Sequence, residues 1–240
     1  MQRAYVVFFV LMSLTASTLF FPADRPLRAA APDEAEKVLF HDKFTPSLGE
    51  GWSWVREDDK AWKVEKGELL IRSLPGGLYR EMNNCKNVLL RTPPDVKKDQ
   101  LIIEVTFRNQ PKEQFEHAGI VWYRDDDDYV VLSKEHYIKG AKPAVQMVRE
   151  EKVDGKIISK VKNHTPYDDE QVSLRLIIQD TTFTGQYRKT DKEEWKEVGQ
   201  IKLASVEGKP RVGLVTSFGT NEVVRWVHFS NFRILQRAQP

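Results

Sequence analysis

Hydrophobic and polar positions alternate with a period of two along most of this chain. Leu101, Ile103, Val105 and Phe107 interleave with Ile102, Glu104, Thr106 and Arg108. Val172, Leu174, Leu176 and Ile178 interleave in the same way with Ser173, Arg175, Ile177 and Gln179. That period sends successive side chains to opposite faces of an extended strand. Shorter runs of β-forming residues at 38–44, 68–72, 87–91, 118–124, 129–135, 144–149, 183–188, 195–201, 211–216 and 224–235 predict further strands. Turn residues punctuate them at Lys66-Gly67, Pro75-Gly76-Gly77, Pro93-Pro94, Asp154-Gly155, Glu207-Gly208 and Gly219. About a dozen short strands separated by turns predict a sandwich or a barrel. No helical stripe exceeds two turns; a short helical turn fits near 58–61 or 166–169. Neither a repeat nor a linker divides the pattern, so residues 32–240 are expected to form a single all-β domain.

The first residues read differently. Arg3 precedes an apolar run over 6–21, and Ala29-Ala30-Ala31 supplies small residues of the kind signal peptidase accepts. The run is short for a membrane span, which needs about 20 apolar residues. Residues 1–31 are therefore expected to be a signal peptide, an uncleaved anchor being the alternative. The protein would then be exported, to the periplasm or beyond, without stable membrane insertion after cleavage. Composition adds limits. The chain has 37 Lys and Arg and 35 Asp and Glu. Losing Arg3, Arg25, Arg28 and Asp24 with the leader would leave 34 of each, so no nucleic-acid partner is expected. Cys85 is the lone cysteine, which excludes an internal disulfide framework and a cysteine-based zinc site. The mature chain must be held by its core, for which about 200 residues suffice.

A family resemblance runs through the predicted strands. Phe40-His41-Asp42-Lys43-Phe44, the Trp52, Trp54, Trp62 and Gly67-Glu68-Leu69 passage, and Ala118-Gly119-Ile120-Val121-Trp122-Tyr123 followed by Asp127-Asp128-Tyr129 carry it. Val172-Ser173-Leu174-Arg175-Leu176, Phe183-Thr184-Gly185-Gln186-Tyr187, Trp195-Lys196-Glu197-Val198-Gly199, Val212-Gly213-Leu214 and Phe229-Ser230-Asn231-Phe232 continue it in order. Together they resemble the concanavalin A-like lectin/glucanase superfamily, in particular uncharacterised bacterial domains of the DUF1349 type and the C-terminal domain of family 43 β-xylosidases. The resemblance spans about 40–235 and implies an antiparallel two-sheet jelly-roll sandwich. Fold does not settle function.

Many relatives of this fold hydrolyse glycans, and retaining glycosidases need two carboxyl groups about 5 Å apart. The family 16 enzymes of the superfamily carry them as E-x-D-x-x-E on one strand, and no such triplet occurs here. Alginate-lyase relatives use Arg, Gln, His and Tyr; Gln146, Arg149, His136 and Tyr137 are present without the flanking motifs. Five scattered histidines show no zinc-ligand spacing. The acidic run Asp125 to Asp128 reads as a hairpin tip, a calcium loop being the alternative.

In the strand beginning at Tyr129, Tyr129 and Glu135 share a face, which would be the concave sheet of a lectin-like fold. Glu135 either meets a ligand there or pairs with Arg149 or Arg175. Sugar sites combine aromatic faces with fixed polar groups, and on that chemistry Trp122, Tyr129, Glu135 and Arg149 form the candidate ligand set, with Trp54 and Arg56 as additions. Asp42 and Asn231 match positions at which resembling domains hold a structural calcium. Asn231 stands where they carry an aspartate. The leading expectation is a non-catalytic carbohydrate-binding module with an oligo- or polysaccharide partner. The alternatives are a glycoside hydrolase or polysaccharide lyase, and a structural or protein-interaction domain of the cell envelope.

Overall fold

The computed structural model describes residues 36–137 and 142–239; the expected leader lies outside them. Fifteen strands follow one another among the described residues: β1 (Lys37–Asp42), β2 (Trp52–Val55), β3 (Trp62–Glu65), β4 (Glu68–Arg72), β5 (Val88–Arg91), β6 (Gln100–Arg108), β7 (His117–Asp125), β8 (Asp128–Glu135), β9 (Ala144–Val153), β10 (Lys156–Pro166), β11 (Gln171–Gln179), β12 (Thr182–Arg188), β13 (Lys196–Lys202), β14 (Arg211–Ser217) and β15 (Trp226–Arg237). Single 3-10 turns at Asp59–Ala61 and Arg80–Met82 are the helical content described, the first where the sequence allowed one. β2, β3 and β10 were not expected. β2 and β3 are four-residue strands, too short to show a period, and β10 carries lysines and exposed apolar residues such as Ile158 and Val161.

The strands form two antiparallel sheets. One has eight strands in the order β13-β12-β11-β6-β15-β4-β3, with β1 paired to β15. The other has seven, in the order β10-β9-β8-β7-β14-β5-β2. Their inner faces enclose a shared core. Ile103, Val105 and Phe107 of β6 and Leu174 and Leu176 of β11 pack in it with Ile120 and Trp122 of β7 and Val130 and Leu132 of β8. These are the alternate positions that the period-two pattern assigns to one face. Trp122 sets its ring edge-on to Phe183, with centroids 5.2 Å apart. Gly185 lets the sheets approach, since a Cβ there would fall 2.5 Å from the Met147 sulfur.

The sheets differ on their outer faces. That of the eight-stranded sheet is closed by a small apolar cluster of Ile102, Ile177 and Leu235 and by an ion-pair network. Glu104 accepts from Arg175 and Arg233, while Arg175 also grips Glu36 at 2.9 and 3.0 Å. The outer face of the seven-stranded sheet carries a second apolar cluster and the cavity described next.

Candidate functional site

The cavity is built on lateral rows of residues set by strand register. His117 of β7 lies opposite Glu135 of β8, which lies opposite Ala144 of β9. The next row toward the β7–β8 turn is Gly119, Ser133 and Gln146. Then follow Val121, Val131 and Val148, extended by Val161 of β10, and last Tyr123, Tyr129, Glu150 and Ser159. Alternation turns all of these away from the core. The floor is therefore polar at one end, apolar in the middle and sealed at the other end. There the Glu150 carboxylate accepts from the Arg80 amide at 2.7 Å and from Ser159 at 3.0 Å. Burial raises the Glu150 pKa, and burial followed by the neighbouring Glu150 charge raises that of the Tyr129 phenol.

Loops raise the walls. The segment between β4 and β5 brings Leu78, Tyr79 and Met82 over the sheet. It is held by the Arg80–Glu150 bond, by Gly77 donating to Asn84 at 2.9 Å, and by Asn83 donating to Asp127 at 2.8 Å. Phe115, Tyr137 and Phe218 close the opposite side. Phe115 has φ 68°, unusual for a bulky residue, and its amide donates to the His136 carbonyl at 2.8 Å. Its ring lies 5.8 Å from Tyr137 and 6.0 Å from Phe218. The enclosed volume is about 290 Å³, and Met82, Phe115, Tyr137 and Val161 leave apolar surface exposed around it.

The electrostatics of the polar end follow from burial without charge. Glu135 is 5% exposed. It accepts a hydrogen bond from the Gln146 amide, and His117 Nδ1 lies 3.6 Å from it. No Arg or Lys lies among the described residues lining the cavity. Burial pushes the Glu135 pKa up to about 8 and that of His117 down to about 4. At neutral pH the carboxyl group is protonated and the ring is neutral. His117 Nδ1 lies 2.9 Å from the Phe115 carbonyl, which can only accept, so the neutral ring carries its proton there and Nε2 is an acceptor. The side chains of Ser133 and Gln146, 0% and 1% exposed, leave Ser133 Oγ and Gln146 Oε1 without a partner. Gly119 faces Ser133; a Cβ there would fall 2.1 Å from the Leu132 carbonyl oxygen.

Of the four candidate ligand residues, the structure brings Tyr129 and Glu135 together and places the other two elsewhere. Trp122 lies opposite Val130, not Val131, and is 2% exposed in the inter-sheet core. Arg149 lies opposite Val130 from the other side and reaches Glu151 at 2.8 Å and the Lys202 carbonyl. For Trp122 the cause is a bulge between Tyr123 and Asp125. Without it the two-residue turn would set Trp122 opposite Val131, on the face of Tyr129; a one-residue shift reverses every side chain. Glu135 pairs with neither Arg149, which lies on the opposite face of its sheet, nor Arg175, which lies on the other sheet with Glu104 and Glu36. Trp54 meets Trp62 in a tilted ring contact and packs against the core. Arg56 is held by Asp126 at 2.7 and 2.8 Å and by the Cys85 carbonyl at 2.6 Å. Gln146 and Tyr137 line the cavity although their motif context gave no reason to choose them; His117, Ser133, Phe115, Tyr79 and Phe218 were not singled out at all.

The calcium positions do not fit a cation. One Asp42 oxygen accepts from the Phe44 amide at 2.7 Å, and the other from the Gly49 amide and the Trp52 indole, both at 2.8 Å. Three N–H donors aimed at one carboxylate take three of its roughly four lone-pair positions, an arrangement that serves a hydrogen-bonded turn better than a cation. Asn231 sits exposed at a bulge in β15, with φ 52°. The acidic hairpin tip is likewise engaged within the chain. Asp126 meets Arg56 and Tyr123, Asp127 meets Asn83 and Lys152, and Asp128 meets Arg124. Among the described residues no group of three or more His, Cys, Asp and Glu is placed to hold a metal. Cys85 is buried, and burial raises its thiol to about 11, far from a reactive thiolate.

Two antiparallel sheets with a hollow on one outer face define a concanavalin A-like β-sandwich. The family described as the β-xylosidase C-terminal concanavalin A-like domain matches residues 41–234, and the chain belongs to that family. The search of curated proteins gives no match. Among solved structures, the GH43 BlXynB protein from Bacillus licheniformis superposes with a TM-score of 0.69 at 19% identity, covering 83% of this chain and 39% of that one. The xylan β-1,4-xylosidase from Bacillus halodurans C-125 gives 0.62 at 20% identity, with 80% and 38% covered. The CBM2 module of the evolved Dit of Lactobacillus casei BL23 phage J-1 gives 0.56 at 7% identity, with 85% and 97% covered. At these identities the likeness is one of fold. The chain spans about two fifths of the length of the two Bacillus structures.

Proposed function

We propose that this domain is an exported carbohydrate-binding module that holds its ligand in the cavity on the outer face of the seven-stranded sheet and performs no glycan chemistry there. The observation that carries this reading is the cavity: two buried, unpartnered polar atoms on its floor, beneath an aromatic rim. Ligand sites are mostly apolar hollows with a few convergent polar groups, and pyranose rings offer an apolar face for an aromatic ring together with hydroxyls for the floor. The membership of the family and the names of the xylan-acting relatives agree with a glycan partner. The absence of catalysis is supported by the carboxyl count. Glu135 is the one carboxyl group among the described lining residues, whereas glycoside hydrolysis uses two. Export is supported by the apolar run over 6–21.

Isothermal titration against xylo-oligosaccharides and other neutral oligosaccharides tests the reading. Binding in the millimolar-to-micromolar range is expected, weakened at least tenfold by Gln146→Ala. Absence of binding across the panel, or binding untouched by that substitution, would reject it.

A further inference from the structure

Resting on that reading, we propose that the cavity selects uncharged sugar units and rejects uronates, with Glu135 acting as a neutral hydrogen-bond donor to a ligand hydroxyl. Among the described residues, the polar end of the cavity offers donors and acceptors but no cation. The Gln146 amide nitrogen donates to one Glu135 oxygen, which leaves the acid O–H free to donate toward the cavity. Ser133 Oγ adds a second donor and acceptor, and Gln146 Oε1 and His117 Nε2 add acceptors. Sugar hydroxyls both donate and accept, so a neutral ring can satisfy this set. A carboxylate can only accept, and it would be desolvated beside apolar walls without a countercharge. Two described cations near the cavity are engaged elsewhere. Arg80 lies over the Tyr79 ring, 5.1 Å from its centroid, and does not line the cavity; Lys152 meets Asp127.

Among the described residues nothing packed against Glu135 carries a positive charge at neutral pH, and it stays neutral. From β7 it meets His117, whose ring is neutral; from β9 it meets Gln146; the lining adds the phenols of Tyr129 and Tyr137. Its pKa of about 8 supports this geometry and sets where the state ends. Above that value the cavity holds a carboxylate of its own, the donor is lost and the unpaired charge disfavours occupancy.

Titration calorimetry of the full chain with xylo-oligosaccharides and with oligogalacturonates, at pH 6.5 and 9.5, tests the inference. At pH 6.5 the neutral ligand is expected to bind at least tenfold more tightly than the uronate. At pH 9.5 its affinity should fall about tenfold in the natural protein and stay level in Glu135→Gln, whose amide remains a neutral donor. Circular dichroism at both pH values confirms the folded state. Equal or tighter uronate binding, or neutral-sugar affinity that does not change with pH, would overturn the inference while leaving a glycan-binding cavity in place. Absence of binding by both ligands would overturn the glycan reading itself and the inference with it.

Discussion

Glu104 and Glu135 are both buried glutamates on outer sheet faces, 3% and 5% exposed, yet their surroundings differ. Glu104 lies between Arg175 and Arg233, and its charge is answered on two sides. Glu135 lies among Gln146, His117 and apolar walls, and its charge is suppressed. Burial alone therefore does not identify a functional carboxyl group. An answered charge joins strands, whereas an unanswered one keeps a proton and hydrogen-bonding capacity in reserve. The second arrangement costs stability, and it occurs where a hollow leaves room for a ligand.

The largest expected effect comes from removing the answered charge. Glu104→Ala leaves Arg233 and part of Arg175 without a carboxylate and is expected to cost about 3–5 kcal/mol by urea denaturation. Glu135→Gln should stay within about 1 kcal/mol of the natural protein at pH 6.5, because the group it replaces is already neutral there. A similar loss in both variants would erase the distinction.

A smaller effect is expected with pH. Folded Glu135 keeps its proton to about 8, against an ordinary value of 4.5, so the folded state binds the extra proton over that interval and stability falls as pH rises. His117 acts in the opposite direction between about 4 and 6.5, where the unfolded ring binds the proton and stability rises with pH. The two cancel over the interval they share, and a net loss remains from pH 6.5 to 8. One proton over that range amounts to about 2 kcal/mol. Glu135→Gln should remove this alkaline slope, and denaturation curves at pH 6.5 and 8 compare the two proteins directly.

Phe115→Ser should change stability by about 1 kcal/mol or less, since the ring is partly exposed at the rim. Binding of neutral oligosaccharides should fall about tenfold, in keeping with a lost aromatic contact. A stability loss without a binding loss would make the rim structural. The smallest effect is expected from metal removal. Chelator or added calcium should move the melting temperature by less than about 1 °C, a bound metal being worth more than that through mass action. A larger shift would return Asp42 to the role of a ligand.

Much of the fold was legible because period two is a local property. The alternation in 101–108 and 172–179 identified strands that pair with one another in the eight-stranded sheet, Leu174 opposite Val105 and Leu176 opposite Ile103. Tyr129 and Glu135 were legible as a pair because they lie on one strand. Trp122 was misplaced because its face depends on a bulge at the end of the hairpin, and no residue there announces one. His117 was passed over for the same reason, since only the shifted register sets it opposite Glu135. The aromatic chemistry was sought in tryptophans, whereas Trp52, Trp54 and Trp62 pack against the core and the rim uses Phe115, Tyr137 and Phe218.

By itself, then, the sequence determined the all-β class, which residues within one strand share a face, and the family, because these rest on nearest neighbours along the chain and on residues matched in order. Tertiary structure decided which strands' faces share the cavity and which carboxyl group meets arginine. It also aimed the Asp42 oxygens at N–H groups. Such outcomes depend on cross-strand register and on loops crossing the sheet, where a shift of one residue exchanges core for surface and a partner many positions away decides whether a buried acid holds its proton.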